Sequence, residues 1–221
     1  MTINLWTNYT CELTGTEGVP IAGGLPVDPR LIEAWQQANW KRNAKLLPGD
    51  PETAEEAAVR TAELVSGLPS EETGWTTFAR DHERRLCIEG RQVKAAMKEA
   101  SNILRLALPE SKNGKPQAWR SRCAEQVFVA ERLLVLQPGR TEPDDMLERP
   151  IHVMTAQGPR DAIKRTDLCY DWSLVCTLKV LSAKGALFTR DVLDTLFEYA
   201  GENGLGADRS QGFGRFTHRI S

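Results

Sequence analysis

The sequence predicts an α+β fold of the ferredoxin-like kind, an antiparallel sheet with helices on one face and helical insertions. Three observations predict it. Apolar and polar residues alternate from Ile3 to Leu13, the period of a half-buried strand. A strand and a helix follow one another near residues 85–105. Near the C-terminus an alternating run at 172–180, an N-capped helix after Thr189 and a short final apolar run give strand, helix, strand.

Taken in order, the first strand is carried by Ile3, Leu5, Thr7, Tyr9, Cys11 and Leu13, with Asn4, Trp6, Asn8, Thr10 and Glu12 facing the other way. A Gly- and Pro-rich loop runs from Gly15 to Pro29. Pro29 then opens a helix to Lys45 that holds Leu31, Ile32, Trp35 and Trp40. Residues 50–72 carry seven acids and one base, Arg60, and read as a solvated helical arm. The chain is expected to be one domain, 1–221, with an acidic helical insertion at about 46–75 and a loop-rich insertion at about 108–150.

Arg85 to Ile88 reads as a strand, broken by Glu89-Gly90, and a helix starts near Arg91. Its core stripe is Val93, Met97, Ala100 and Leu104, spaced four, three and four. Arg91, Lys94, Lys98 and Arg105 share another face, a basic one. Residues 80–125 hold eleven bases and six acids, against −2 for the whole chain, so positive charge is concentrated here. Such a split fits a basic face for nucleic acid and equally fits complementary subunit surfaces. Gln126 to Leu136 and Ile151 to Met154 read as strands, with a loop at 137–149 between them. Trp172, Leu174, Cys176, Leu178 and Val180 form the clearest strand of the C-terminal half. The helix after Thr189 carries Val192, Leu193, Leu196, Phe197 and Ala200 on one face and is expected to end at Gly201. Gly212 to Ile220 is the last strand.

Five cysteines (Cys11, Cys87, Cys123, Cys169 and Cys176) are scattered and never spaced C-x-x-C, which points to reduced core thiols rather than disulfides or zinc. The N-terminal Met-Thr-Ile-Asn-Leu-Trp lacks a basic stretch followed by an apolar one, and no apolar run is long enough to span a bilayer. The expectation is a cytosolic protein without cofactor or metal.

The segment richest in chemical information is Gly201 to Phe216, where five glycines fall within fourteen residues between a helix and a strand. Glycines allow close backbone approach, exposed N–H groups form anion-binding nests, and Arg209 and Arg215 supply charge for phosphate. A turn of purely structural purpose needs the same glycines. A dinucleotide-binding loop lies between a strand and the next helix, so that reading does not fit.

Gly-Leu-Gly-Ala-Asp-Arg-Ser-Gln-Gly-Phe-Gly-Arg-Phe, residues 204–216, resembles the C-terminal glycine-rich loop of the RAMP superfamily, whose members form the backbones of CRISPR ribonucleoproteins. Cys87 to Lys98 is similar to the strand-to-helix signature of the same family, Ile-Pro-Gly-Ser-Ser-x-Lys-Gly-x-x-Arg. Lys94 matches the family lysine, while Glu89 stands where proline is usual and Ala95 where glycine is usual. A weaker likeness runs from Leu13-Thr14-Gly15 to Asp28-Pro29, the loop that carries a cleaving aspartate in some members. The resemblance is specific over only about thirty residues. It implies a distant member with an RNA-recognition-like sheet whose open face can receive single-stranded RNA.

What it implies for function is a non-enzymatic guide-RNA-binding subunit in antiviral defence, assembled with copies of itself and other effector subunits. Arg91, Lys94 and Lys98, with Gly204, Gly206, Arg209, Ser210, Gly212, Phe213, Gly214 and Arg215, would hold RNA. The alternatives are an RNA-processing endonuclease of the same superfamily and a phage or mobile-element protein acting as a structural or interaction module. For cleavage the candidates are Asp28 and His82, neither within a catalytic motif, and His152 and His218 are the other histidines.

Overall fold

In the computed structural model, residues 5–26, 75–108, 118–155, 158–182 and 186–221 are described. Along the chain run β1 (Trp6–Gly15), β2 (Ile21–Ala22), β3 (Leu25–Pro26), β4 (Trp75–Thr77), β5 (Ala79–Arg80) and β6 (Leu86–Glu89). Then come α1 (Gly90–Ile103), α2 (Trp119–Gln126), β7 (Val127–Val129), β8 (Leu133–Val135), β9 (Asp145–Thr155) and β10 (Gly158–Cys169). The last elements are β11 (Ser173–Leu181), α3 (Arg190–Asn203) and β12 (Phe216–Ile220). The chain forms two units. One holds 1–23, 78–144 and 168–221, and the other holds 24–77 and 145–167.

The first unit is built on a sheet in the order β12-β1-β11-β7. Each neighbouring pair is antiparallel. With α1 between β1 and β7 and α3 between β11 and β12, this is the β-α-β-β-α-β arrangement of a ferredoxin-like fold. The α+β expectation therefore holds. Alternation explains the core. Cys11 and Leu13 of β1 and Leu174, Cys176, Leu178 and Val180 of β11 point to one face and are buried. Against them lie Val93, Met97 and Ala100 of α1 and Leu193, Leu196, Phe197 and Ala200 of α3, all buried. Fully burying one large apolar side chain contributes roughly 1.5–3 kcal/mol, so this two-layer core is what holds the unit together. All five cysteines are free and buried. A second, three-stranded sheet, β5-β6-β8, leads into α1. The end of β10, Leu168 and Cys169, pairs with β2.

In the second unit β3 pairs antiparallel with β4, β4 runs parallel to β10, and β9 pairs with β10. Trp75 Nε1 donates to Asp167 Oδ1 at 3.0 Å, and Arg165 pairs with Glu148 at 2.8 Å.

Several elements differ from the sequence expectation. Gln126 to Leu136 is not one strand. β7 joins the large sheet through β11, whereas β8 pairs with β6, and the chain bends at Ala130–Arg132 to serve both. The stretch 137–149 is only partly loop, because β9 begins at Asp145. α3 runs past Gly201 to Asn203 and ends at Gly204, whose φ of 83° is one that glycine adopts readily. The final strand starts at Phe216, since Gly212 and Gly214 turn with positive φ. The expected helix at 29–45, the acidic stretch 50–72 and Asp28 lie outside the described residues.

Candidate nucleic-acid interface

α1 leaves β6 at Glu89-Gly90 and presents its apolar stripe to the sheet, which leaves the basic side chains on its flank. These do not behave alike. Arg91 is clamped by Glu89, with 2.5 Å between guanidinium and carboxylate, and its side chain remains 57% exposed. Lys94 turns onto its own chain. Its Nζ donates to the carbonyls of Cys123 at 2.7 Å and Ala124 at 3.1 Å, and lies 4.6 Å from the centre of the Phe128 ring. It thus closes the C-terminal carbonyls of α2, where a cation suits the helix dipole. Burial lowers its pKa, with the nearby Lys98 adding to the effect. Lys98 is half-buried, and Arg105 is exposed and donates to the Asn102 carbonyl.

The glycine-rich loop packs against its own fold. Leu205 N donates to Gly214 O, Ala207 N to Ala22 O, and Gly214 N to Pro20 O. Gly214 has φ 71°, and a Cβ there would sit 1.8 Å from Leu205 O, so only glycine fits. Gly204 and Gly206 likewise face backbone oxygens, of Phe213 and Ala22. Gly212 differs, because a Cβ there would meet open space despite its φ of 85°. Part of the N–H array that a phosphate would need is therefore committed internally. Ser210 and Arg215 are exposed, and Phe213 is half-buried.

The two segments that carry the family resemblance adjoin each other. Arg209 donates to Glu99 of α1 at 2.8 Å. Beside this pair lies a small cleft of about 130 Å³ lined by Gln92, Ala95, Glu99, Gly204, Gly206 and Arg209. The hydrogen bond from Arg209 holds the Glu99 carboxyl below the usual glutamate range.

A further set of side chains lies on the sheet face opposite the core. Trp6 and Phe128 meet edge to face, with ring centres 5.5 Å apart. Lys179, the partner of Phe128 across the strands, places Nζ 5.8 Å from the Trp6 ring. Phe128 is 42% exposed and Val175, on the same face, 50%. The alternation of β1 marks an outward side as well as the buried one. Trp6 occupies the opposite parity from Cys11 and Leu13, and that signal was available.

Of the residues considered for cleavage, His82 sits in a turn organised by Asp81, whose carboxylate accepts from the backbone N–H of Glu83 and Arg85. Its ring is 84% exposed and 3.6 Å from Glu83. His152 faces Asp161, and His218 stacks on Phe197 beside Asp194. Among the described residues no group of three or more His, Cys, Asp or Glu is placed to hold a metal.

No family model matches the chain, and no curated protein matches it. A chain in a solved cryo-EM structure, that of the Type III-B Cmr-beta bound to cognate target RNA, is similar at TM-score 0.44 and 14% identity. The likeness covers 98% of this chain and 60% of that one, so this chain spans about three-fifths of its length.

Proposed function

We propose that this chain is an RNA-binding subunit of a CRISPR-type ribonucleoprotein, binding guide RNA without cleaving it. One observation carries the reading: the two segments resembling RAMP signatures, distant in sequence, line one cleft through Gln92 and Ala95 of the first and Gly204, Gly206 and Arg209 of the second, with Arg209 bonded to Glu99 one residue past the first. The fold supports it, since a β-α-β-β-α-β domain leaves one sheet face open for single strands. In this reading Arg91, Lys98, Ser210 and Arg215 would reach phosphates, and all but the half-buried Lys98 are exposed. Lys94, Gly204, Gly206 and Gly214 would act indirectly, by holding the helix flank and the loop in shape. Guide bases would supply sequence specificity, while protein charge supplies affinity. The partners of this reading are guide RNA, further copies of the chain and other effector subunits, in the cytosol. Among the described residues no helix is long and apolar enough to cross a membrane.

A second reading is favoured by the internal engagement of Lys94 and Arg209: an interaction module that keeps the fold and has lost the RNA. Purification at low and at high salt separates the two. The RNA-binding reading expects ribonuclease-sensitive nucleic acid to copurify at low salt and to be shed at high salt. Protein free of nucleic acid in both, and unable to retain added RNA, would favour the interaction module. The non-catalytic part of the proposal expects single-stranded RNA to survive incubation with and without Mg²⁺. Cleavage abolished by Asp28→Ala or His82→Ala would overturn it.

A further inference from the structure

The face of the large sheet turned away from its helices carries a strip of two aromatic rings, Trp6 and Phe128, that lie outside both RAMP-like segments. Phe128 of β7 and Trp6 of β1 lie edge to face, 5.5 Å apart. A lysine stands over each ring, Lys94 at 4.6 Å from the Phe128 centre and Lys179 at 5.8 Å from the Trp6 centre. The strip opens at one end into a concavity of about 410 Å³, lined by Arg91, Lys94, Phe128 and Arg132 among others. The acids of that concavity are committed. Glu89 pairs with Arg91, and the Glu131 carboxylate accepts the Thr177 N–H at 2.9 and 3.1 Å. The exposed Phe128 ring and the half-buried Trp6 ring, bordered by cations beside a hollow whose carboxylates are occupied, have the charge and shape that complement a polyanion bearing flat bases.

We infer that Trp6 and Phe128 form a base-stacking platform for single-stranded nucleic acid, with Lys179 and Arg132 holding the adjoining phosphates. The inference rests on the RNA-binding reading and adds to it a second contact surface, one that reads base planes rather than phosphates. Stacking is tolerant of sequence because every base has a π-face. The platform therefore takes single strands and not duplexes, whose bases are already stacked. Phe128 is held on one side by Lys94. Lys94 ties the end of α2, the residue run that leads into β7, to α1 and packs against the ring, which makes it a positioning residue for the platform.

The test compares two oligonucleotides of equal charge, a twelve-nucleotide oligouridylate and an abasic ribose-phosphate strand of the same length, by fluorescence anisotropy at fixed salt. The platform predicts that wild type prefers the oligouridylate by at least about tenfold. Trp6→Leu and Phe128→Leu should each erase most of that preference, leaving affinity for the abasic strand and its salt dependence unchanged. A thermal melt checks that each variant folds, and Phe128→Tyr, which keeps a ring, should retain the preference. Equal wild-type affinity for both strands overturns the platform and leaves RNA binding through phosphates standing. Leucine variants that lose both strands equally while remaining folded also overturn it, since the rings would then be supporting a phosphate site. If wild type binds neither strand, the platform and the RNA-binding reading fall together. If the leucine variants keep their affinity for RNA but fail to capture a protein that wild type captures, the face is a protein interface and the inference is wrong.

Discussion

At the scale of single residues, charge on a helix flank does not by itself say where that charge is used. Lys94 shares the flank of α1 with Arg91 and Lys98, and spacing alone treats the three alike. The structure separates them, because only Lys94 has α2's terminal carbonyls within reach. Lys94→Ala should therefore lower stability by about 1–2 kcal/mol, because the Ala124 carbonyl loses its Lys94 donor and the Cys123 carbonyl keeps only the Val127 N–H, whereas Lys98→Ala should change it little. In a chain of this size that is a fall in Tm of a few degrees, about 2–4 °C per kcal/mol, read by calorimetry. Glycines divide in the same way. Gly214→Ala drives a methyl group into the Leu205 carbonyl and should cost about 3 kcal/mol or more, often preventing folding. Gly212→Ala has positive φ but open space, and should cost only about 1 kcal/mol. Equal losses at the two positions would mean that the loop is not packed as described. Glu99 adds a pH signature. Its folded-state pKa lies below the unfolded value, so the unfolded chain takes up the proton first. The contribution is complete above the ordinary glutamate range, near 4.3, and is lost as pH falls through the folded value. Arg209→Ala should flatten this acid-limb loss of stability; an unaltered acid limb would show that the ion pair does not contribute in solution.

At the scale of elements, the legible parts of the sequence were those with an unmixed period. β1, β11, α1 and α3 each show one apolar face to one core, so alternation or a 3.6-residue stripe locates them. α3 also carries its own start signal. Thr189 Oγ1 accepts from Val192 N, and Thr189→Ala should cost about 1 kcal/mol, measurable by urea unfolding. What was not legible lacked that signal. α2 is eight residues long and buries only Trp119, Cys123 and Gln126, too few to define a stripe. β10 reads Gly-Pro-Arg-Asp-Ala-Ile-Lys-Arg-Thr-Asp-Leu-Cys, a charged run whose pairing with β9 and β4 is a long-range fact. The merged strand at Gln126–Leu136 failed for a related reason, since apolar residues fall at both parities there, and the buried parity changes from Val127 to Leu134 and Leu136 across a bend whose two halves join different sheets. The site was legible in its halves and not in its join. Both RAMP-like segments stood out in sequence, while the Arg209–Glu99 pair between them needed the fold.

At the scale of the whole molecule, a net charge of −2 gives no general attraction for RNA, so the proposed function requires local charge, such as the bases concentrated at 80–125. That makes salt dependence the property most closely tied to function. The direct test is the affinity of the full chain for single-stranded RNA across a series of salt concentrations, with Arg215→Ala beside wild type. The account predicts that log affinity falls linearly with log salt, and that removing exposed Arg215 shallows the slope by about 0.7, one phosphate on a single strand, without lowering Tm. Binding absent at every salt concentration, or binding with no salt dependence and no response to Arg215→Ala, would contradict it.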